Sequence, residues 1–285
     1  MSCIAIVGAV SWNTLVLLDD LPAPTPHMQF ARGDWQTLGG TSAGKSLALT
    51  ALGRRVRLRA RVGSDAAGAR ICAALDGAGI GLEDLVATRI SERHLNLMTP
   101  RGERVSLYLS TPEPPANDAL VDPGALFSDA DAIVLDLSDE GLAAIPAARA
   151  SGRPIWVDLH DWDGVQDFHR PFLDAAHAVL CSADRLDDTA AFLRSCVAGG
   201  VALAVCTSGA EGAIAIDASG ELYTVPAAPV DVVDTNGAGD AFFAGVLDAT
   251  LGGAAVQAAL TAGALSAAAA LRSRHLHPLL DDVLV

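Results

Sequence analysis

Short apolar runs bounded by turn residues recur along the chain, at Ile4–Val7, Val56–Val62, Ala132–Leu137, Ile155–Leu159, Ala178–Cys181 and Leu203–Thr207. Uninterrupted runs of this length are what strands buried on both faces look like. Stretches of helical composition lie between several of them: Ser42–Leu52, Ala66–Ala78, Glu140–Ala150 and Leu186–Val197. A strand–helix–strand succession supplies the long crossovers that parallel strands need and antiparallel hairpins do not. The expected fold is therefore α/β, a doubly wound, mainly parallel sheet flanked by helices. Two further helices, near Ala238–Leu251 and Ala254–Leu271, follow one another across Gly252-Gly253.

Three segments break that rhythm. Residues around Phe30–Leu38, His94–Met98 and Arg104–Leu109 read as short strands of alternating polarity, and Pro100-Arg101-Gly102 suits a hairpin turn between the last two. They are expected to form a small antiparallel flap, with strands near 28–38 and 93–110, carried on one domain spanning 1–285. With 285 residues, 51% of them hydrophobic, the chain can bury a substantial core.

The formal charge of −15 argues against a general nucleic-acid or anionic-membrane binder. The cysteines (Cys3, Cys72, Cys181, Cys196, Cys206) are scattered without CxxC spacing, which suggests reduced thiols and neither a disulfide framework nor a zinc site. A strand-like run begins at Cys3 with no basic-then-apolar signal before it, and no apolar run reaches the roughly 18 residues of a membrane span. A cytoplasmic location is expected.

The most informative stretch is Asp234-Thr235-Asn236-Gly237-Ala238-Gly239-Asp240-Ala241-Phe242, read as running from a strand at Val230–Val233 into a helix. Glycines at such a turn let backbone N–H groups approach a ligand closely, and the helix N-terminus favours an anion such as phosphate. Phosphoryl transfer needs dipoles aimed at the developing charge and a carboxylate to take the attacking hydroxyl's proton. Asp240 is placed for the second task. The alternative reading is a plain strand–turn–helix junction in which Asp240 only favours the helix start.

These residues resemble the ribokinase-like (PfkB) carbohydrate kinases, whose signature Asp-Thr-x-Gly-Ala-Gly-Asp is matched at every fixed position. The resemblance extends over nearly the whole chain, through Leu38-Gly39-Gly40 to Leu52-Gly53, Val62-Gly63-Ser64-Asp65 with Gly68, and Thr207-Ser208-Gly209-Ala210-Glu211-Gly212. It implies an ATP-dependent phosphotransferase acting on a hydroxyl of a small molecule, a sugar or sugar derivative first. A nucleoside or vitamin-alcohol kinase of the same fold, or a non-catalytic nucleotide-binding relative, are the alternatives. By the resemblance, Asp240 is the catalytic base, and Gly237, Ala238 and Gly239 supply the anion hole. Thr207, Ser208, Gly209 and Gly212 would lie against ATP, with Ser182, Asp234 and Thr235 also on the nucleotide side. Asn13, Gly39, Gly40, Gly44 and Asn96 would face the acceptor beneath a lid made by the flap. The implied cofactors are ATP and Mg2+, with a monovalent cation as an optional third, and a homodimer is compatible. The metal ligands are left open.

Departures from the family pattern are local. Asn13 stands where many relatives carry a sugar-binding aspartate, and Gly44 where they carry asparagine. Ser182-Ala183-Asp184-Arg185 takes the place of Asn-x-x-Glu, and Arg272-Ser273-Arg274-His275 that of a Gly-Ala turn at the adenine pocket.

Gly39-Gly40-Thr41-Ser42-Ala43-Gly44-Lys45-Ser46 also satisfies the phosphate-loop pattern GxxxxGK[ST] and holds the chain's only lysine. That mechanism requires a buried strand immediately before the loop. The preceding residues 31–38 are polar and broken, so the pattern reads as a decoy with Lys45 a bystander, although Ala132–Asp136 could pass for the accompanying acidic strand. Arg55, Arg57, Arg59 and Arg61 alternate along one strand and read as a solvated edge, the alternatives being a partner surface or an anionic-substrate wall. Asp158-Leu159-His160-Asp161-Trp162-Asp163 follows a strand at the sheet's carboxyl edge, where ligands gather. His160 there is either a substrate contact or part of a ligand-free turn.

Overall fold

The computed structural model describes residues 2–113 and 123–284. From the N-terminus come strands β1 (Cys3–Val7), β2 (Ser11–Leu17) and β3 (Gly33–Gly39), then helix α1 (Thr41–Ala51) and strands β4 (Arg55–Arg59) and β5 (Arg61–Gly63). Helix α2 (Ala66–Gly77) is followed by β6 (Val86–Thr88), β7 (Glu92–Met98) and β8 (Arg104–Ser110). The second half alternates: α3 (Gly124–Phe127), β9 (Ala132–Asp136), α4 (Asp139–Ala150), β10 (Ile155–Asp158), α5 (Arg170–Ala175), β11 (Ala178–Ser182), α6 (Thr189–Ala198) and β12 (Leu203–Thr207). Strands β13 (Ala213–Asp217) and β14 (Leu222–Val225) precede the helix pair α7 (Ala238–Leu251) and α8 (Val256–Ala270).

The large sheet has the order β14-β13-β12-β11-β10-β9-β1-β4. It is parallel from β4 to β12, and β13 and β14 join antiparallel at the far edge. Side chains of a strand alternate between its faces, and here both faces are apolar. Ile4 and Ile6 of β1 pack with Leu47 of α1, Ile71 of α2, Phe243 of α7 and Leu260 of α8. Ala5 and Val7 pack on the opposite side with Phe127, Ile145, Phe172 and Leu193 of α3 to α6. Two covered faces explain why these strands read as unbroken apolar runs.

A second sheet, in the order β3-β2-β7-β8, differs from the expected flap in two respects. β2 joins it, paired antiparallel to β3 and parallel to β7. Its first strand begins at Gly33, not at Phe30, and Phe30 lies outside it with its side chain exposed. The hairpin turn at 100–102 does connect antiparallel β7 and β8, with Gly102 at φ 86°.

Two other expectations are corrected. Residues 230–233 form no strand; Val232 and Val233 are exposed there and pair with no neighbour strand. The alternating arginines do not form one solvated face. β4 is the sheet edge, but the extended run breaks at Ala60 and Arg61 belongs to β5. Arg57 makes a two-pronged pair with Asp84 at 2.8 Å, while Arg59 and Arg61 share Glu140 at 3.0 and 2.9 Å.

Candidate active site

The signature residues form the N-terminus of α7. Gly237 precedes the helix at φ 78°, in the left-handed region, and a Cβ there would meet Leu276 O at 2.3 Å, so glycine is required twice over. The N–H groups of the helix's first turn have no partners within the helix and leave a positive end. Asp240 lies in that turn, 8% exposed. Asp234 shapes the approach: its Oδ1 accepts from Asn236 N and Nδ2, both at 2.8 Å, and its Oδ2 is buried without a donor. Burial pushes the Asp234 carboxyl up.

Asp240 does not stand alone. Lys45 Nζ, fully buried, donates to its Oδ1 at 2.7 Å and lies 3.1 Å from Asp158 Oδ2. It is also 3.0 Å from Asp136 Oδ1, within ion-pair distance but off hydrogen-bond alignment, which leaves that oxygen with a charge partner and no donor. Asp136 Oδ2 accepts from Ser42 Oγ at 2.6 Å, and the Phe243 ring centre sits 5.1 Å from the ammonium. Burial alone would pull Lys45 toward the neutral amine. The carboxylates of Asp136, Asp240 and Asp158 outweigh it and hold the lysine well above its ordinary range.

The same cluster acts differently on each acid. Burial pushes the Asp240 carboxyl up to about 6; Lys45 opposes the rise, while Asp136 and Asp158 add to it. At Asp158 the penalty of burial is overcome by His160 and Lys45, and its carboxyl is lowered. His160 holds φ at 51°, unusual for a non-glycine residue, while its N–H donates to Asp158 Oδ1 at 2.9 Å.

Lys45 is therefore no bystander to the site, although it is not a phosphate-loop lysine either. α1 starts at Thr41, so Lys45 is one turn inside the helix and points into the protein. The residue before it makes this possible. A Cβ on Gly44 would lie 2.4 Å from Asp240 Oδ2 and 2.8 Å from its Cβ. Asp136 and Asp158 each end a buried strand at its carboxyl edge, which was the available signal for them. Only the phosphate-loop pattern set Asp136 beside Lys45, and nothing in the sequence pointed to Asp158 or Asp240 meeting it there.

A cavity of about 770 Å³ opens between this edge and the small sheet. Of the residues expected in the site, Asn13, Gly39, Gly40, Asn96, Thr235, Gly237, Gly239 and Asp240 line it. Gly44 lies behind it against Asp240, and Ala238 is not among the lining residues. Ser182 and Thr207 are register neighbours at the ends of β11 and β12, outside the cavity. Beyond them Ser208 N donates to Gly212 O at 2.8 Å to close the turn that carries Gly209. Arg61, His160 and Arg274 also line the cavity, Arg61 where one alternative puts an anionic-substrate wall, and Glu140 joins them with no signal of its own in the sequence.

The small sheet is tied down over this cavity. Arg104 Nη1 donates to Asn236 Oδ1 at 2.6 Å, and Trp35 Nε1 donates to Arg274 O at 2.9 Å. Among the described residues, no group of three His, Cys, Asp or Glu side chains is arranged to hold a metal ion. The acids nearest Asp240 are already gathered on the Lys45 ammonium.

Comparison with known proteins bears on this geometry. The family model described as pfkB family carbohydrate kinase matches residues 1–281. Acarbose 7(IV)-phosphotransferase of Actinoplanes sp. is 28% identical over 273 residues, 93% of this chain and 90% of that protein. Fructoselysine 6-kinase of Escherichia coli is 34% identical over 128 residues, 44% of this chain and 48% of its own. Among solved structures, a microbiome-derived acarbose kinase superposes with a TM-score of 0.84 at 28% identity, covering 99% of both chains. Ribokinase from Thermotoga maritima superposes with a TM-score of 0.81 at 16% identity, covering 99% of this chain and 98% of its own, which speaks to the fold alone.

Proposed function

The chain belongs to the pfkB family of carbohydrate kinases, and from that premise we propose that it phosphorylates a hydroxyl of a sugar conjugate larger than one hexose, with Asp240 as the base. It is an ATP-dependent kinase of a sugar or sugar derivative. What carries the finer reading is Asp240 at the start of α7, facing a cavity of about 770 Å³. Pockets of about 300–1,000 Å³ take drug-sized ligands; this one seats the terminal phosphates as well as the acceptor, and similarity to kinases of acarbose and of fructoselysine supports a sugar conjugate as that acceptor.

The acceptor hydroxyl attacks the terminal phosphorus in line, its O–P bond forming as the bond to the leaving ADP oxygen breaks. Its proton passes to Asp240. The N–H groups of Gly237 and Gly239, on the cavity lining, face the phosphoryl oxygens as charge shifts onto them, whereas the Ala238 N–H is turned to Thr235 O at 3.5 Å. Mg2+ would enter as a companion of ATP, held largely by phosphates and water as this ion commonly is, and would supply neutralisation of phosphate charge. A monovalent cation beside Asp234 would give its buried Oδ2 the partner it lacks. The small sheet acts as a lid that keeps water, a competing acceptor, from the reacting phosphate. A cytoplasmic site of action agrees with the ATP requirement and with five free thiols.

Two asparagines of the lid set the acceptor's polarity. Asn13 Oδ1 accepts from Ser11 Oγ at 2.8 Å, which leaves its Nδ2 to donate. Asn96 Oδ1 is buried without a donor. One donor and one acceptor suit an acceptor that offers both an oxygen lone pair and a hydroxyl.

ADP release should be measured with acarbose, fructoselysine, ribose, fructose and a set of nucleosides, using wild type, Asp240→Asn and Asn13→Asp. The expected result is preference for a sugar conjugate, a loss of about 10²–10⁴ in kcat in Asp240→Asn with ATP binding retained, and a shift of Asn13→Asp toward ribose or fructose. Preference of the wild type for ribose or a nucleoside would overturn the size reading. Near-normal turnover in Asp240→Asn would remove it as base.

A further inference from the structure

We infer that Lys45 is a positioning residue for phosphoryl transfer, its buried ammonium holding the Asp240 carboxylate in place and ionised. The inference rests on the reading of Asp240 as the base.

The geometry leaves Lys45 little else to do. Its Nζ is fully buried and does not reach the cavity, so it touches neither nucleotide nor acceptor. A lysine chain with an amine that must be charged is an expensive core residue unless paired. Here the pairing is threefold, to Asp240 on α7, Asp136 at the end of β9 and Asp158 at the end of β10. Gly44 matches it: with no side chain at 44, Asp240 can lie against α1 within 2.7 Å of the next residue's ammonium. One hydrogen bond from Lys45 to Oδ1, with Oδ2 set against Gly44, also fixes the orientation of the carboxylate.

Charge explains why a cation is needed there. Besides Lys45, the titratable groups that act most strongly on Asp240 are acids, Asp136 and Asp158, and His160 stands behind Asp158. Without the ammonium, two like charges and burial would favour a protonated Asp240, which cannot accept a proton. The raised Asp240 carboxyl, held at about 6, is consistent with a balance that Lys45 nearly but not wholly restores.

The test is the pH dependence of kcat/KM for the best acceptor, in wild type, Lys45→Met and Asp136→Asn, with ATP KM recorded alongside. Asp136 is buried and off the cavity, so its amide removes one charge without touching a substrate. Wild type should show an acidic limb near 6. Lys45→Met should move that limb up by about one unit, a tenfold loss on its acidic side, with the loss in kcat and ATP KM within a few-fold of wild type. Asp136→Asn should move the limb down. Opposite shifts are something a merely structural role would not produce. If Lys45→Met does not fold, Lys45→Met with Asp136→Asn keeps the cluster's net charge, and its limb should still lie above that of Asp136→Asn alone. A limb that stays put in folded Lys45 variants, with Asp240→Asn inactive, overturns the inference and leaves the base. A collapse of ATP affinity in Lys45→Met overturns it in favour of a nucleotide contact. An active Asp240→Asn removes the base itself.

Discussion

At Asp240 function and stability pull in opposite directions. The folded state holds this carboxyl's proton up to about 6, against an ordinary value of 3.8. Between those values the folded chain binds more protons than the unfolded one, so this group's contribution to stability falls as pH rises through about 6. At neutral pH the protein carries an ionised, buried acid that it would be more stable without. Asp240→Asn should therefore melt higher than wild type at pH 7 to 8, with the gap narrowing as pH drops below 6. Equal melting across the range, by scanning calorimetry, would mean that Lys45 offsets the cost completely. The base itself was legible in the sequence, because a glycine turn, a helix start and a carboxylate are local features. Its counter-ion was not. Lys45 sits in a pattern that mimics a phosphate loop, and only its full burial and its bond to Asp240 show that its side chain turns inward.

Elements follow the same division. Most apolar runs with cover on both faces read as strands in the sequence, β13 being the exception, and helices match to within a few residues at most ends. Val230–Val233 has the β-branched composition of a strand but no partner to pair with, and β propensity is realised only through neighbours. β14 escaped notice for the opposite reason, being an edge strand of mixed polarity with Leu222 half exposed. Asp65 is an element-scale linchpin whose sequence signal was only a motif position. It caps α2 through Gly68 N at 2.8 Å and accepts from Ser91 N at 3.0 Å and Ser91 Oγ at 2.7 Å. Burial would raise its carboxyl, but these bonds prevail and lower it. Asp65→Ala should cost about 1–2 kcal/mol, seen as a melting point lower by about 2–4 °C per kcal/mol. Because the folded carboxyl is depressed, that stabilisation is complete above the ordinary 3.8 and lost as pH falls below it. A gap that persists undiminished in acid would point to packing, not the carboxylate.

Across the whole molecule, the formal charge of −15 makes self-repulsion a standing cost. Screening lengths fall from about 30 Å at 0.01 M salt to about 8 Å at 0.15 M. The melting temperature should rise by about 2 °C or more over that range, the equivalent of about 1 kcal/mol. A flat or falling response would show that local pairs already absorb the surplus. Partly buried pairs such as Arg59 and Arg61 with Glu140 are expected to contribute little to the salt effect. No helix among the described residues is long and apolar enough to cross a membrane.

By itself the sequence determined the layered architecture, the glycine turn and the carboxylate that follows it, since periodicity and turn chemistry act over a few neighbouring residues. The tertiary structure alone decided the company that carboxylate keeps. Residues 45, 136, 158 and 240 belong to one helix start, two strand ends and another helix start, far apart in the chain. They meet because parallel strands bring their carboxyl ends to one edge, where α1 and α7 also begin. Burial there strengthens each charge's effect on the others, so the same four residue types would mean little if they faced water.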